Sequence, residues 1–220
     1  MRKLMPLVLI TALAACETES YDSGQGGLSL TTADFAEAHS DASRAVDYAV
    51  TDNGDSLALS PEISARWITT PDTTYRVVLY YDRTGKNTAR PVSISQIPTL
   101  AVVPADRFDR ILTDPVTFES IWLSKTGKYL NIGMYLKNGE TGSDGTRHTV
   151  GMAHDSTATG ADGSRTAYLR LYHDQGGVPE YYSSKYYVSL PCAALPYDSV
   201  CVSIVTYGGT VTHRLSLPEK

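Results

Sequence analysis

The chain of 220 residues is poor in several features, and each shortage closes off a class of function. It has three cysteines, with no C-x-x-C pair and no Cys/His cluster at zinc spacing, so neither a zinc module nor a dithiol redox site is expected. It has no run of Lys or Arg, and Asp+Glu outnumber Lys+Arg 24 to 19. Nucleic-acid affinity rests largely on phosphate neutralisation, so no nucleic acid is expected as a partner. Phe and Trp are scarce, at 3 and 2, against 15 Tyr. The longest apolar run, Leu4 to Ala15, is about 12 residues against the roughly 20 that a spanning helix needs.

Catalytic signatures are missing too. His39, His148, His154, His173 and His213 are present, but no G-x-S-x-G elbow or other nucleophile motif accompanies them. His148 and His213 share strand parity with apolar neighbours and read as half-buried, hydrogen-bonded rings. Asp144-Gly145 and Asp162-Gly163, with Asp155 near the second, lie in polar stretches without the D-x-D-x-D-G spacing of a calcium loop. Solvated turns are the expectation there. A carboxylate pair for glycoside hydrolysis is defined by spatial separation, and nothing in the sequence selects one. The reading is therefore of a protein that is not an enzyme, with no catalytic residue, no metal ligand and no cofactor assigned.

What is present begins at the N-terminus. Arg2 and Lys3 precede the apolar run, and the small pair Ala14-Ala15 precedes Cys16, the layout of a secretory signal with its cleavage site. Leu13-Ala14-Ala15-Cys16 resembles the lipobox of bacterial lipoproteins. The resemblance implies that residues 1–15 are a lipoprotein signal peptide, cleaved before Cys16, whose sulfur carries a diacylglyceryl group and whose new amine is acylated. Each buried CH₂ contributes about 0.8 kcal/mol and more than one chain is needed for a stable anchor, a requirement such a cysteine meets. Residues 16–27 combine acidic residues with Ser23-Gly24-Gln25-Gly26-Gly27 and read as a lipidated flexible tether. Acids directly after the lipid cysteine resemble the surface-export signal of Bacteroidetes lipoproteins. They imply an outer-membrane protein facing the cell exterior, joined to the membrane through its N-terminal lipid. Loss of Arg2 and Lys3 takes the charge to 17 − 24 = −7.

The remainder reads as all-β in two domains. Over 28–103, strands are expected at Leu28–Ala38, Val46–Val50, Leu57–Leu59, Tyr75–Tyr81 and Val92–Ile94, with Asp52-Asn53-Gly54-Asp55 as a tight hairpin turn. Five short strands fit a small OB-like barrel, with a plain meander as the alternative. Residues 104–113 read as a linker, with one short helical turn within Asp106–Leu112. Over 114–220, period-2 segments at Phe118–Leu123, Leu130–Leu136, Val150–Met152, Ala167–Leu171, Tyr182–Leu190, Val200–Ile204 and Val211–Leu217 predict an antiparallel seven-stranded β-sandwich. Ala153–Arg165 reads as a long loop and Gly208-Gly209 as a hairpin turn. The export route permits a disulfide between Cys192 and Cys201, worth about 2–3 kcal/mol in the chain-entropy view, and two independent thiols are the alternative.

Three stretches carry a family resemblance: D-R-F-D-R-I-L-T-D-P-V-T-F-E-S-I-W-L-S-K-T-G-K-Y-L-N-I-G-M-Y-L from Asp106, A-Y-L-R-L-Y-H-D-Q-G-G-V-P-E-Y-Y-S-S-K-Y-Y-V-S-L from Ala167, and D-S-V-C-V-S-I-V-T-Y-G-G from Asp198. With the lipobox they resemble the NigD-like lipoproteins of Bacteroidetes, strongly over 114–217 and weakly over 28–97. The resemblance implies an N-terminal OB-like domain, a C-terminal β-sandwich and the anchor. It brings no functional residue except Cys16.

The tyrosines supply the candidate contact surface. Tyr168 and Tyr172 lie opposite the leucine face of their strand, and Tyr181 and Tyr187 opposite the Tyr182/Val188 face of theirs. If the strands are neighbours, one outer face carries all four, and an exposed aromatic patch suits a glycan or another surface protein. Trp67, in a polar stretch, is either a further platform or a plug for the small barrel. The expected function is a lipid-anchored, non-catalytic envelope binding protein. The alternative is a structural or immunity-type envelope protein that docks on a protein partner.

Overall fold

The computed structural model describes residues 31–140, 146–192 and 195–218. The signal segment, Cys16, the tether and Asp144-Gly145 lie outside the described residues.

The first unit is a closed barrel of β1 (Thr31–Ser40), β2 (Val46–Thr51), β3 (Ser56–Ile63), β4 (Thr73–Arg83) and β5 (Thr88–Gln96), in the order β1-β2-β3-β5-β4. Each of the five expected strands is there, and closure favours the barrel over the meander. Period-2 alternation sends Ala36, Ala38 and Ala49 inward against Leu57, Val77, Leu79 and Tyr81, so small side chains face large ones in a narrow interior. Gly54 takes φ +93° in the β2–β3 turn, the left-handed conformation that the Asn53-Gly54 pair supplies. Trp67 packs from one side onto this core and meets Tyr75 edge-on at 5.5 Å, which matches the plug rather than the platform.

The second unit is a sandwich of β6 (Val102–Pro104), β7 (Thr117–Leu123), β8 (Tyr129–Asn138), β9 (Thr149–Thr159), β10 (Arg165–Asp174), β11 (Tyr182–Pro191), β12 (Ser199–Thr206) and β13 (Gly209–Ser216). One sheet runs β13-β12-β10-β9-β6 and the other β11-β8-β7. The strands expected from 114 onward are all present, with three differences. The sheets are not purely antiparallel: β10 and β12 are parallel because the chain crosses to the other sheet as β11 between them. The stretch expected to be a loop is largely strand, since β9 runs to Thr159 on Ser and Thr residues that keep a wet ladder with β10. The last hairpin pairs Thr206 with Gly209, so its turn residues are Tyr207-Gly208 rather than Gly208-Gly209.

The connector is also more structured than a linker. Ser189 N–H donates to Pro98 O at 3.0 Å, Leu100 N–H donates to Ser189 O at 2.8 Å, and β6 pairs in parallel with β9. A short 3₁₀ turn, Ala105–Arg107, follows; then His173 N–H donates to Leu112 O, and Asp114 N–H to His173 O. The barrel thus ends at Gln96, and the segment after it belongs to the sandwich. Among the described residues no helix is long and apolar enough to cross a membrane.

The two units are packed together. The outer faces of β1 and β4 bring Phe35 and Val78 against the outer face of the β11-β8-β7 sheet, where Trp122 and Tyr187 meet the Phe35 ring edge-on at 5.0 and 5.1 Å.

Candidate binding surfaces

The four tyrosines proposed as one face are divided. β10 and β11 belong to different sheets, so Tyr168 and Tyr172 are separated from Tyr187 by the thickness of the sandwich. Tyr168 is exposed on the outside of the five-stranded sheet beside the Arg170–Asp155 ion pair. Tyr172 stacks on Phe108 at 5.0 Å and is half-buried. Tyr187 is taken up by the contact with the barrel. Of the four, Tyr181 stands free, with 80% of its surface exposed.

Tyr181 has other neighbours. Tyr182 (56% exposed) follows it and pairs with Asn138 at the end of β8, and Tyr181 N–H donates to Asn138 O at 2.8 Å. Lys137, the preceding residue of β8, holds its ammonium 5.9 Å over the ring of Tyr207, which is 48% exposed in the β12–β13 turn. Three exposed tyrosines therefore gather at one end of the sandwich. Polar groups surround them: Gln175 Nε2 donates to Glu180 at 3.0 Å and Gln175 N–H donates to Asp114 at 2.8 Å. Burial, then Glu180 and Asp114, raise the Tyr207 hydroxyl above its ordinary pKa. The 179–181 segment lies close over Gly139, where a Cβ would stand 2.6 Å from Pro179 Cβ and 2.9 Å from Tyr181 Cδ2. Tyr182 reads in the sequence as a strand marker, and Tyr207 directly precedes the Gly208-Gly209 pair expected to turn the chain. A large ring in a two-residue turn has no core to fill, and that was the signal to follow.

A second polar cluster lies between the units and is absent from the sequence reading. Arg76 points out of β4 into the interface, where its guanidinium donates two parallel bonds to Asp52 at 2.7 and 2.6 Å. It also donates to Asn131 Oδ1 at 3.0 Å and, through Nε, to Ser189 Oγ at 3.1 Å. Asn131 Nδ2 donates to Asp52 at 2.9 Å and Ser189 Oγ to Asn131 Oδ1 at 2.7 Å. The guanidinium lies 4.1 Å over the Tyr129 ring. Beside it, Glu37 accepts from Lys128 and from the Tyr129 hydroxyl. Burial and this carboxylate push the Tyr129 hydroxyl up to about 12. An arginine in an apolar strand and an asparagine alternating with Leu130 and Ile132 were the visible signals.

The remaining candidates are accounted for locally. Cys192 is buried in the sandwich core and Cys201 sits on the opposite side of β12 from buried Val200 and Val202. Their thiols point to different sides of the five-stranded sheet, and both are free. The disulfide is thus replaced by two independent thiols, and burial pushes that of Cys192 up to about 11. Asp155 is held by Arg170, and Asp162 accepts the Ser164 N–H of its own turn. His213 stacks on Phe118 at 4.6 Å, and its buried Nε2 has no hydrogen-bond partner. His148 is hydrogen-bonded, as its parity suggested.

Residues 99–213 match the family described as the NigD-like C-terminal beta sandwich domain. The chain belongs to the NigD-like family. Its family segment begins where Pro98 and Leu100 first bond to β11, so the NigD-like sandwich includes the connector. A NigD-like immunity protein from Bacteroides caccae is 24% identical, with a TM-score of 0.65 over 86% of this chain and 97% of that one. A protein of unknown function from Bacteroides vulgatus is 17% identical, with a TM-score of 0.64 over 86% and 92%. A candidate lipoprotein from Bacteroides fragilis is 9% identical, with a TM-score of 0.58 over 86% and 98%. These likenesses are of fold, and they extend across barrel and sandwich. No curated protein matches the sequence.

Proposed function

We propose that the mature chain is a lipid-anchored, outward-facing envelope protein that binds a surface glycan, without catalysis, at the tyrosine-bearing end of its sandwich. The observation that carries the reading is the grouping of Tyr181, Tyr182 and Tyr207 with Lys137 at that end. Exposed rings offer faces for the apolar side of a sugar, while Lys137, Glu180 and Gln175 offer hydrogen bonds to its hydroxyls. The lipobox-like Leu13–Cys16 and the Bacteroides fragilis candidate lipoprotein that shares this fold support an envelope address. The test is a glycan array probed with the full mature chain. Each of Tyr181→Ala, Tyr182→Ala and Tyr207→Ala is expected to weaken binding by about 3- to 10-fold, the size of an aromatic contact. A glycan bound equally by all three variants sinks the assignment to this end.

The second reading is an immunity-type protein that docks on a protein partner. The name of the Bacteroides caccae relative favours it. The same tyrosines would then serve a protein contact, and a chain that captures no glycan while protecting its host cells from an antibacterial protein would select that reading.

A further inference from the structure

Beneath the tyrosine end, two histidines connect the sheets. His148 precedes β9, and His173 lies on β10. His148 Nε2 is 2.9 Å from Lys137 O, His148 Nδ1 is 3.0 Å from His173 Nε2, and His173 Nδ1 is 2.8 Å from Asp114 O. The ring centroids are 5.2 Å apart and the planes 22° from parallel, an edge-to-edge arrangement. Backbone carbonyl oxygens only accept hydrogen bonds, so His148 Nε2 and His173 Nδ1 must both carry protons. The nitrogens between the rings need one more to bond. That makes three ring protons on two imidazoles, a net charge of +1. Two protons would set lone pair against lone pair or free one carbonyl. Four would set N–H against N–H.

We propose that His148 and His173 together hold one shared proton, forming a single-charge clasp that ties Lys137 of the three-stranded sheet to His173 of the five-stranded sheet and orders the tyrosine end above it. The groups facing the clasp are few. The Asp114 and Asp174 carboxylates favour the extra charge, and each accepts a backbone N–H of the 175–176 turn. The Lys137 ammonium opposes it but is turned away over Tyr207. Arg147 is next to His148 in the chain, and Glu180 faces Tyr207. Burial, and after it the bond to Asp114 and the charge of His148, act on His173, with a net lowering that suits its role as the neutral acceptor.

The pair then titrates as a unit. The hydrogen bonds need one shared proton, so the stability they contribute is lost as pH rises far enough to remove it. The second proton is refused, so further acidification favours the unfolded chain, which accepts both. Stability from this clasp passes through a maximum in the pH range where one proton is shared.

The clasp bears on ligand binding only through the proposed function, and its test is independent of any glycan. Long-range ¹H–¹⁵N spectra of the histidine-labelled full chain are recorded from about pH 5 to 8, the histidine range. Expected at about pH 6 are a His148 with both nitrogens protonated and a His173 with a protonated Nδ1 and a lone pair on Nε2, the pair losing one proton in a single step seen by both rings. Exchange of the Tyr181 amide, corrected for its intrinsic pH dependence, is expected to rise about fivefold through that step, the effect of one hydrogen bond. In His148→Gln the rise disappears. Two rings titrating independently, or two neutral rings at about pH 6, overturn the proposal, and the unsubstituted chain alone decides it.

Discussion

Replacing Arg76 by Met tests whether the barrel and sandwich are one folding unit. The Arg76 side chain is 3% exposed and that of Asp52 14%. Met keeps much of the stem but removes the guanidinium. Asp52 is left with one bond from Asn131, Asn131 Oδ1 keeps only the Ser189 hydroxyl, and Tyr129 loses its cation. Removing one partner of a buried ion pair costs about 3–5 kcal/mol, because the other charge stays buried, and at about 2–4 °C per kcal/mol the Tm should fall by roughly 6–20 °C. Arg76→Met with Asp52→Asn should recover part of that, since the orphan charge is gone. The assay is urea unfolding with scanning calorimetry. A second transition appearing in Arg76→Met would locate the loss at the interface between the units. A loss below about 1 kcal/mol, the value of a single ordinary hydrogen bond, would refute the view that this cluster holds the units together.

Tyr187→Ala should destabilise by about 2 kcal/mol or more, because the ring fills the interface against Phe35, while exposed Tyr181→Ala should stay within about 0.5 kcal/mol, both read by urea unfolding. Burial acts to raise the pKa of Glu37, but the bonds from Lys128 and Tyr129 prevail and lower it. Its stability contribution is therefore present above the ordinary glutamate value of 4.5 and lost as pH falls below it, and Glu37→Gln should flatten that acid limb of the stability curve. With a thiol reagent at neutral pH, Cys201 should react in the folded protein and Cys192 only after unfolding. Gly139→Ala should disturb the tyrosine end, since a Cβ there meets Pro179 and Tyr181 inside contact distance, with a cost of about 1–3 kcal/mol in unfolding experiments.

The strands were legible because their signal is local. Alternation such as Leu130, Ile132, Met134 against Tyr129, Asn131, Gly133 needs no knowledge of the partner strand. Which strands become neighbours is a different kind of fact. Tyr168 and Tyr187 have equally clear parity, yet their strands lie in opposite sheets, and the single face inferred from parity came apart on that point. The same limit hid the clasp of Arg76. Its four side chains come from β4, the β2–β3 turn, β8 and β11, with up to 113 residues between partners. The connector was misjudged because Pro98 and Pro104 read as interruptions. Pro98 offers only its carbonyl, which is all that Ser189 needs from it.

The order β13-β12-β10-β9-β6 gives the larger sheet two unlike margins. At one margin β6 is three residues long and ends in Pro104, whose nitrogen has no proton to offer. A neighbouring chain finds little there to extend. At the other, β13 presents eight residues without a proline, and Arg214 is its one Lys or Arg. An exposed edge strand invites strand-to-strand adhesion between copies. In the larger sheet the hazard is confined to one side: the segment that joins barrel to sandwich also serves as a guard rail for the sheet it enters.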